Sequence, residues 1–310
     1  MAISENFGEL LEPGLRQIFF LQFQALAAES RIARLFNVIP SNKANEYFLS
    51  IGGMGDWNEY EGTIEYDDQE QGYKTTLTHK EYVRGFKVER KLVDDDLYNI
   101  INARPQGLAL GAARTREQHA ASVFNNAFST SYTGGDGEPL CESSGHPLSP
   151  SNTGSTQTNE GSYALSYDNV VTVRRTMREF TDDKGELMPI NPDLLLVPPE
   201  LEETAHSILY TMQAQNPQEV DNTDYHARIV GSNARIAMDY VVWDYLTDAN
   251  AWFMIDSRLA KIHLLWIDRT PLEFSMDPTS DYRLEARYRG YMRYSYGWSD
   301  WRWVYGNNPS

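Results

Sequence analysis

Cys141 and His146 lie five residues apart in "GEPLCESSGHPLSPSNTG" (137–154), and their types invite a chemical reading. Cysteine catalysis needs a thiolate, a base placed by the fold and an oxyanion site. The pair supplies only the residue types, because five positions in a loop of small residues set no geometry. Glu203 and His206 stand three apart on an expected helix, a common surface feature when it occurs alone. His119 lies between Gln118 and Ala120 on another expected helix, with no second ligand at helical spacing. There is no CxxC and no HExxH. "TDDKGE" (181–186) lacks the ligand pattern of a calcium loop, and "GGMG" (52–55) fits neither the dinucleotide fingerprint nor the phosphate loop. Among 44 acidic residues no carboxylate pair stands out. The expectation is no catalytic, cofactor-binding or metal-binding residue, and no enzyme.

The elements that would have to position any site start from ordinary globular composition. The chain has 310 residues, 41% hydrophobic and 23% charged, enough for one large domain or two ordinary ones. A membrane span needs about 20 unbroken apolar residues. The nearest approach, "IFFLQFQALAAES" (18–30), is interrupted by Gln22, Gln24 and Glu29 and lacks the basic start and cleavage site of a secretory signal. One cysteine allows no internal disulfide, so the default expectation is synthesis inside a cell. The net charge of −17 argues against a protein built to grip nucleic-acid phosphates, which needs lysine and arginine in excess.

Residues 1–45 read as an arm. Leu15, Ile18, Phe19, Leu26, Ile32, Leu35 and Phe36 follow roughly helical spacing up to Pro40. That stripe suits either a helix packed on its own domain or a segment reaching a neighbour. Residues 46–91 favour extended hairpins, with segregated charge. Asp56, Glu59, Glu61, Glu65, Asp67, Asp68 and Glu70 crowd the first part; Lys74, Lys80, Arg84, Lys87, Arg90 and Lys91 crowd the second. These charges can pair across the hairpin or meet another subunit. Residues 94–130 read as the longest helix, with Pro105 in its first turn. A small-residue connection (131–165) follows, then a helix capped at Ser166 or Asp168 and running toward "DDKG". Next come a short buried strand, Leu194 to Val197, a double proline and another helix.

The clearest strand is "YRLEARYRGYMRYSYGW" (282–298). Leu284, Ala286, Tyr288, Met292, Tyr294, Tyr296 and Trp298 alternate with Arg283, Glu285, Arg287, Arg289, Tyr291 and Arg293. Period two places the arginines on one face, either solvated or a docking strip for a carboxylate-rich partner. Gly290 predicts a bend or bulge.

This order of parts resembles the tailed-bacteriophage major capsid (major head) protein with the Hong Kong 97-type shell fold. Three phrases resemble the Mu-type head-subunit branch: "YKTTLTHKEYVRGFKVERKLVDDDLY" (73–98), "GEPLCESSGHPLSPSNTG" and "INPDLLLVPPELEETAHSIL" (190–209). That branch commonly carries a "dG.pLfs..Hp" pattern after the long helix. Here Asp136, Gly137, Pro139, Leu140, Cys141, Ser144, His146 and Pro147 match it, with Cys141 where an aromatic is usual.

The resemblance implies an α+β fold with an N-terminal arm (1–45), an extended β-hairpin loop (46–91), a peripheral domain with a spine helix (92–164 and 279–310) and an axial domain (165–278). It makes the Cys and His parts of a connector. It implies a structural protein that self-assembles into pentamers and hexamers of an icosahedral head enclosing double-stranded DNA, assembled in the bacterial host cytoplasm and resident in the virion. The implied partners are further copies of the chain, a separate scaffolding protein, a portal and a decoration protein. DNA would be touched weakly and without sequence specificity, and no membrane would be involved. The inter-subunit contact expected from the charges joins Glu59, Glu61, Glu65, Asp67, Asp68 and Glu70 to Arg283, Arg287, Arg289 and Arg293 of a neighbour. The rivals are an encapsulin-type compartment shell and a soluble hydrolase using Cys141 or a Glu/His site.

Overall fold

The computed structural model describes residues 7–54, 57, 59, 62, 66, 68–95, 100–210, 238–277 and 285–309. Helices α1 (Phe7–Ala28) and α2 (Arg31–Leu35) lead to strands β1 (Asn37–Pro40), β2 (Asn45–Ile51), β3 (Gln71–Thr78) and β4 (Lys80–Glu89). Then come α3 (Arg90–Asp94), the long α4 (Ile100–Asn125), three two-residue strands β5 (His146–Pro147), β6 (Thr156–Gln157) and β7 (Glu160–Gly161), and α5 (Tyr167–Arg178). They are followed by β8 (Leu194–Val197), α6 (Glu202–Leu209), β9 (Asp239–Val242) and β10 (Trp252–Ile255). α7 (Ser257–His263), β11 (Leu264–Met276), β12 (Glu285–Trp298) and β13 (Val304–Asn307) finish the order. Internal contacts gather the described residues of Met1–Glu46, Leu77–Ala120 and Trp266–Tyr296 into one unit. Those of Tyr47–Thr76, Ala121–Leu265 and Gly297–Ser310 form a second.

The first unit is a four-stranded sheet, β1-β11-β12-β4, with helical cover. β12 runs antiparallel to β4 in unbroken register from Glu285↔Glu89 to Tyr294↔Lys80, so no bulge opens at Gly290 against β4. The close approach falls on its neighbour strand instead: a Cβ on Gly85 would lie 2.4 Å from the Tyr288 carbonyl oxygen. The period-two reading of this strand holds. Ala286, Tyr288, Met292 and Tyr294 are buried. Ala286 and Tyr288 join Leu15, Phe19, Val88, Ile101, Ala109 and Phe274 in one core, where the Phe274 and Tyr288 rings stack 5.8 Å apart. Each large apolar side chain so buried contributes about 1.5–3 kcal/mol.

The stripe of the first 45 residues is therefore spent on its own unit, as Leu15, Phe19, Ile32, Leu35 and Phe36 are all buried there. The helix also stops earlier than Pro40. The Ser30 hydroxyl accepts the Ile32 N–H at 3.2 Å and restarts the chain as α2. Val38 and Ile39 then favour extended backbone, so Pro40 closes a strand. The 46–91 segment is likewise redistributed. β2 pairs with β3 as a ribbon, while β4 joins the first sheet. Lys87 on β4 accordingly meets Glu285 of β12 at 3.1 Å, not an acidic residue across the ribbon.

α4 is pinned by Arg116, whose guanidinium forks onto both Asp268 carboxylate oxygens at 3.0 and 3.1 Å and lies 4.9 Å over Trp266. His119 on the same helix is a packing residue. Its Nδ1 meets the Tyr294 hydroxyl at 2.7 Å, and burial, then Lys80, holds its pKa below the usual imidazole range.

The second unit holds a five-stranded sheet, β7-β13-β10-β8-β9. β10 runs antiparallel to β13 and β8, while β8–β9 and β13–β7 are parallel. β8, the expected buried strand, is buried along its whole length, as are β10 and β13. Such near-continuous apolar runs mark strands covered on both faces. The Ser166 hydroxyl caps α5 by accepting the Asn169 N–H at 3.3 Å. That helix ends at Arg178, short of "DDKG", because Thr181 and Leu187 close a turn that Gly185 completes at φ +93°. Helices beside antiparallel and mixed sheets make an α+β architecture, with no closed barrel among the described residues.

Candidate functional site

The connector 131–165 is organised around His146, which is fully buried. The ring lies flat on Trp301, 4.4 Å between centroids and 12° between planes. Its Nδ1 reaches Asp136 Oδ2 at 2.6 Å, and its Nε2 reaches Asn159 Oδ1 at 3.1 Å. Backbone groups fix which end of Asn159 is oxygen. Asn159 Nδ2 donates to the Leu140 and Val304 carbonyls at 2.8 and 3.1 Å, and its Oδ1 accepts the Glu142 N–H at 3.0 Å. With Asn159 Oδ1 fixed as an acceptor, His146 Nε2 carries the hydrogen donated to it, and Nδ1 is committed to Asp136.

Cys141 is fully buried, and burial, then the nearby Glu160, pushes its thiol well above the usual range. A group held as thiol and an imidazole with both nitrogens committed are not a nucleophile and its base. They are the fabric of the connector.

The other chemical suggestions resolve the same way. Gly52 N–H donates to the Glu70 carbonyl at 2.8 Å and Gly53 N–H to Asp183 Oδ1 at 2.7 Å, so the first two "GGMG" donors are already occupied, while Gly55 lies outside the described residues. Asp182 Oδ1 accepts the Lys184 and Glu186 N–H groups at 2.9 Å each, closing its own turn. His206 Nδ1 is 3.3 Å from the Tyr240 hydroxyl. Among the described residues no group of three histidine, cysteine or acidic side chains is placed to hold a metal, and no helix is long and apolar enough to cross a membrane.

What the molecule does expose is apolar and charged surface. Along β2, Tyr47, Leu49 and Ile51 alternate outward at 58%, 49% and 66% exposure, and Met54 and Trp57 follow them into solvent. Lys74 of β3 sits 4.3 Å over the Tyr47 ring. Exposed apolar side chains in a contiguous run mark a contact surface. Of the acidic residues expected to make contacts, Glu59, Asp68 and Glu70 are exposed, with Glu70 accepting a hydrogen bond from Ser151; Glu61, Glu65 and Asp67 lie outside the described residues.

The arginine face of β12 is real, and partly matched within the chain. Arg287 bonds Glu285 at 2.7 Å, and this bond, then Lys87, holds the Glu285 carboxyl below its usual range. Arg293 Nε stands 3.8 Å from Glu81, Arg289 is exposed, and Arg283 lies outside the described residues. The sheet adds two members that strand-by-strand reading missed, His79 beside Ser295 and Arg269 on the adjacent β11. Period two within "LLWIDRTPLEFSM" would have put Arg269 opposite Trp266 and Asp268, but nothing local pairs β11 with β12.

Comparison with known proteins bears on these surfaces. The family described as phage capsid protein matches residues 72–307. The capsid of the cyanophage P-SCSP1u superposes with a TM-score of 0.57 at 12% identity, covering 90% of this chain and 88% of that one. The procapsid of bacteriophage JBD30 gives a TM-score of 0.52 at 16% identity over 97% of this chain and 76% of its own. The JBD30 capsid decorated with minor capsid protein trimers gives 0.53 at 15% identity over 70% and 91%. No curated protein sequence matches at a significant level.

Proposed function

The chain belongs to the phage capsid protein family and has the Hong Kong 97-type fold of a tailed-phage major capsid protein, and from this premise we propose that it forms pentamers and hexamers closing an icosahedral head around double-stranded DNA. The observation that carries this reading is the β2–β3 ribbon, whose apolar face is in solvent in the single chain. A two-stranded ribbon alone is marginal in water. Laid on a neighbouring copy, its apolar side chains and free backbone groups leave water once per subunit, and the small gain is repeated around the shell.

In this reading residues 46–91 act as the extended loop and residues 1–45 as the arm. α4 is the spine helix of a peripheral domain made of 92–164 and 279–310, and residues 165–278 form the axial domain, bounds that the strand pairings cut across, since β4 and β11 share a sheet with β12 and β13 shares one with β10. The net charge of −17 makes copies repel, so attachment needs specific attractive contacts. The acidic residues Glu59 to Glu70 supply one side of them, and the arginine face of β12 on a neighbour supplies the other. An acidic container holds DNA weakly, which suits contents that must leave. A scaffolding protein and a portal serve assembly in the host cytoplasm, and a decoration protein binds the shell, as minor capsid protein trimers decorate the JBD30 capsid.

Expression of the full chain, alone and with its neighbouring phage genes, followed by negative-stain microscopy, tests this. Closed particles containing DNA support it. Only monomers under both conditions overturn it, and particles filled with a protein cargo turn it toward the encapsulin-type compartment.

A further inference from the structure

We propose that His79, Arg269 and Arg293 form a receptor for a carboxylate on the acidic ribbon of a second copy of this chain. The proposal rests on the shell reading above and names the acceptor which that reading leaves general.

Trp266 stacks on Tyr294 at 4.6 Å and Asp268 binds Arg116, so these side chains take the α4 side of the first sheet. Strand periodicity sends Arg269 to the opposite side, with Arg293 and Ser295 of the adjacent β12. His79, in the link between β3 and β4, is 5% exposed, and its Nδ1 lies 3.0 Å from the Ser295 hydroxyl. Arg293, Glu46 and Arg269 are the charges it feels.

On this side three buried nitrogens have no hydrogen-bond partner among the described residues: His79 Nε2, Arg269 Nε and Arg293 Nε, with both arginines close enough for their charges to act on His79. The local carboxylates do not fill the place. Glu81 stays 3.8 Å from Arg293 Nε, and Glu46 is taken by the Ser41 hydroxyl at 2.6 Å and Lys43 at 3.1 Å. Buried donors without acceptors are costly. One incoming carboxylate has the lone pairs to serve two guanidinium groups and an imidazole N–H together.

Charge complementarity identifies the occupant. With 44 acidic against 27 basic residues, another copy of this chain offers mainly carboxylates, and Glu59, Asp68 and Glu70 stand exposed. A nucleic-acid strand would bring a line of phosphates past Glu46 and Glu81, which a single carboxylate avoids.

The test is Arg269→Glu with Arg293→Glu in the full chain, expressed beside wild type and counted by negative stain. At least tenfold fewer particles are expected, with the subunit's circular dichroism and melting midpoint unchanged. Adding Asp68→Lys and Glu70→Lys is expected to restore assembly by reversing both sides. If the reversed chain fails to fold, Arg269→Gln with Arg293→Gln removes attraction without repulsion, and a severalfold loss is expected.

Particles in wild-type number from either arginine variant overturn the receptor while leaving the shell reading intact. Absence of rescue from a folded subunit overturns the ribbon as donor. Normal particles with reduced DNA content overturn it in favour of phosphate. A wild-type chain that never forms particles overturns the shell reading first.

Discussion

Around His146, the imidazole, the Asp136 carboxylate and the Asn159 amide all satisfy one another or the backbone, deep inside the second unit. Along β2, Tyr47, Leu49 and Ile51 stand in water on a ribbon of two strands. The connector holds its polar groups where water cannot compete, so its energy is realised when one chain folds. The ribbon leaves apolar area uncovered, and on the function proposed above its energy is realised when a second chain arrives. On that proposal folding and assembly fall to different residues, and each should be open to disturbance without the other.

The largest effect is expected in the connector. Asp136→Ala leaves the buried His146 Nδ1 without its partner and should cost about 1–3 kcal/mol, read as a shift of the subunit's denaturant midpoint. A shift within experimental scatter would show that the buried pair does not hold the connector. The ribbon should respond in the opposite way. Tyr47→Ser, Leu49→Ser and Ile51→Ser together should change subunit stability by no more than about 0.5 kcal/mol per site while particle yield collapses. Normal yield would break the contrast.

A smaller loss of assembly is expected from Arg287→Glu with Arg289→Glu, because Arg287 is already engaged by Glu285 within the chain. Particle counts should fall less than for Arg269 and Arg293, and the monomer should stay folded. Equal losses would mean the whole arginine face acts as one strip.

The smallest effect is on pH dependence. Burial lowers the pKa of both His119 and His263; Lys80 adds to this at His119, while at His263 the Asp300 and Arg302 charges oppose each other. Below about pH 6.5 the unfolded chain binds protons that these folded histidines refuse. Their contribution is fully present above that pH and declines as pH falls toward the folded values. His119→Gln with His263→Gln should flatten the melting midpoint between about pH 6.5 and 5, and an unchanged slope would remove both from the account.

Much of this was legible in the chain, for identifiable reasons. Alternation in 282–298 separated Tyr288 and Tyr294 from Arg287, Arg289 and Arg293, because a strand has one local period whatever it pairs with. Leu194–Val197 read as buried because four consecutive apolar residues leave no polar face. His146 read as part of a connector by resemblance, yet its Nε2 hydrogen bond depends on Asn159, whose orientation is dictated by carbonyls of Leu140 and Val304 far apart in sequence. The early stripe left two readings open because a helix face looks the same to its own sheet and to a neighbour's. Arg269 was invisible as a site residue, since its companions come from β12 and from the link before β4.

The sequence by itself determined the main helices and strands though not all their ends, which faces of them are apolar, and that the chain carries far more carboxylate than cation. Those follow from side-chain chemistry and from the repeat of the backbone, both local. Which faces meet, which charges are already answered within the chain, and which donors are left waiting were decided only by the tertiary structure. Pairing depends on distances between residues that chain order does not constrain.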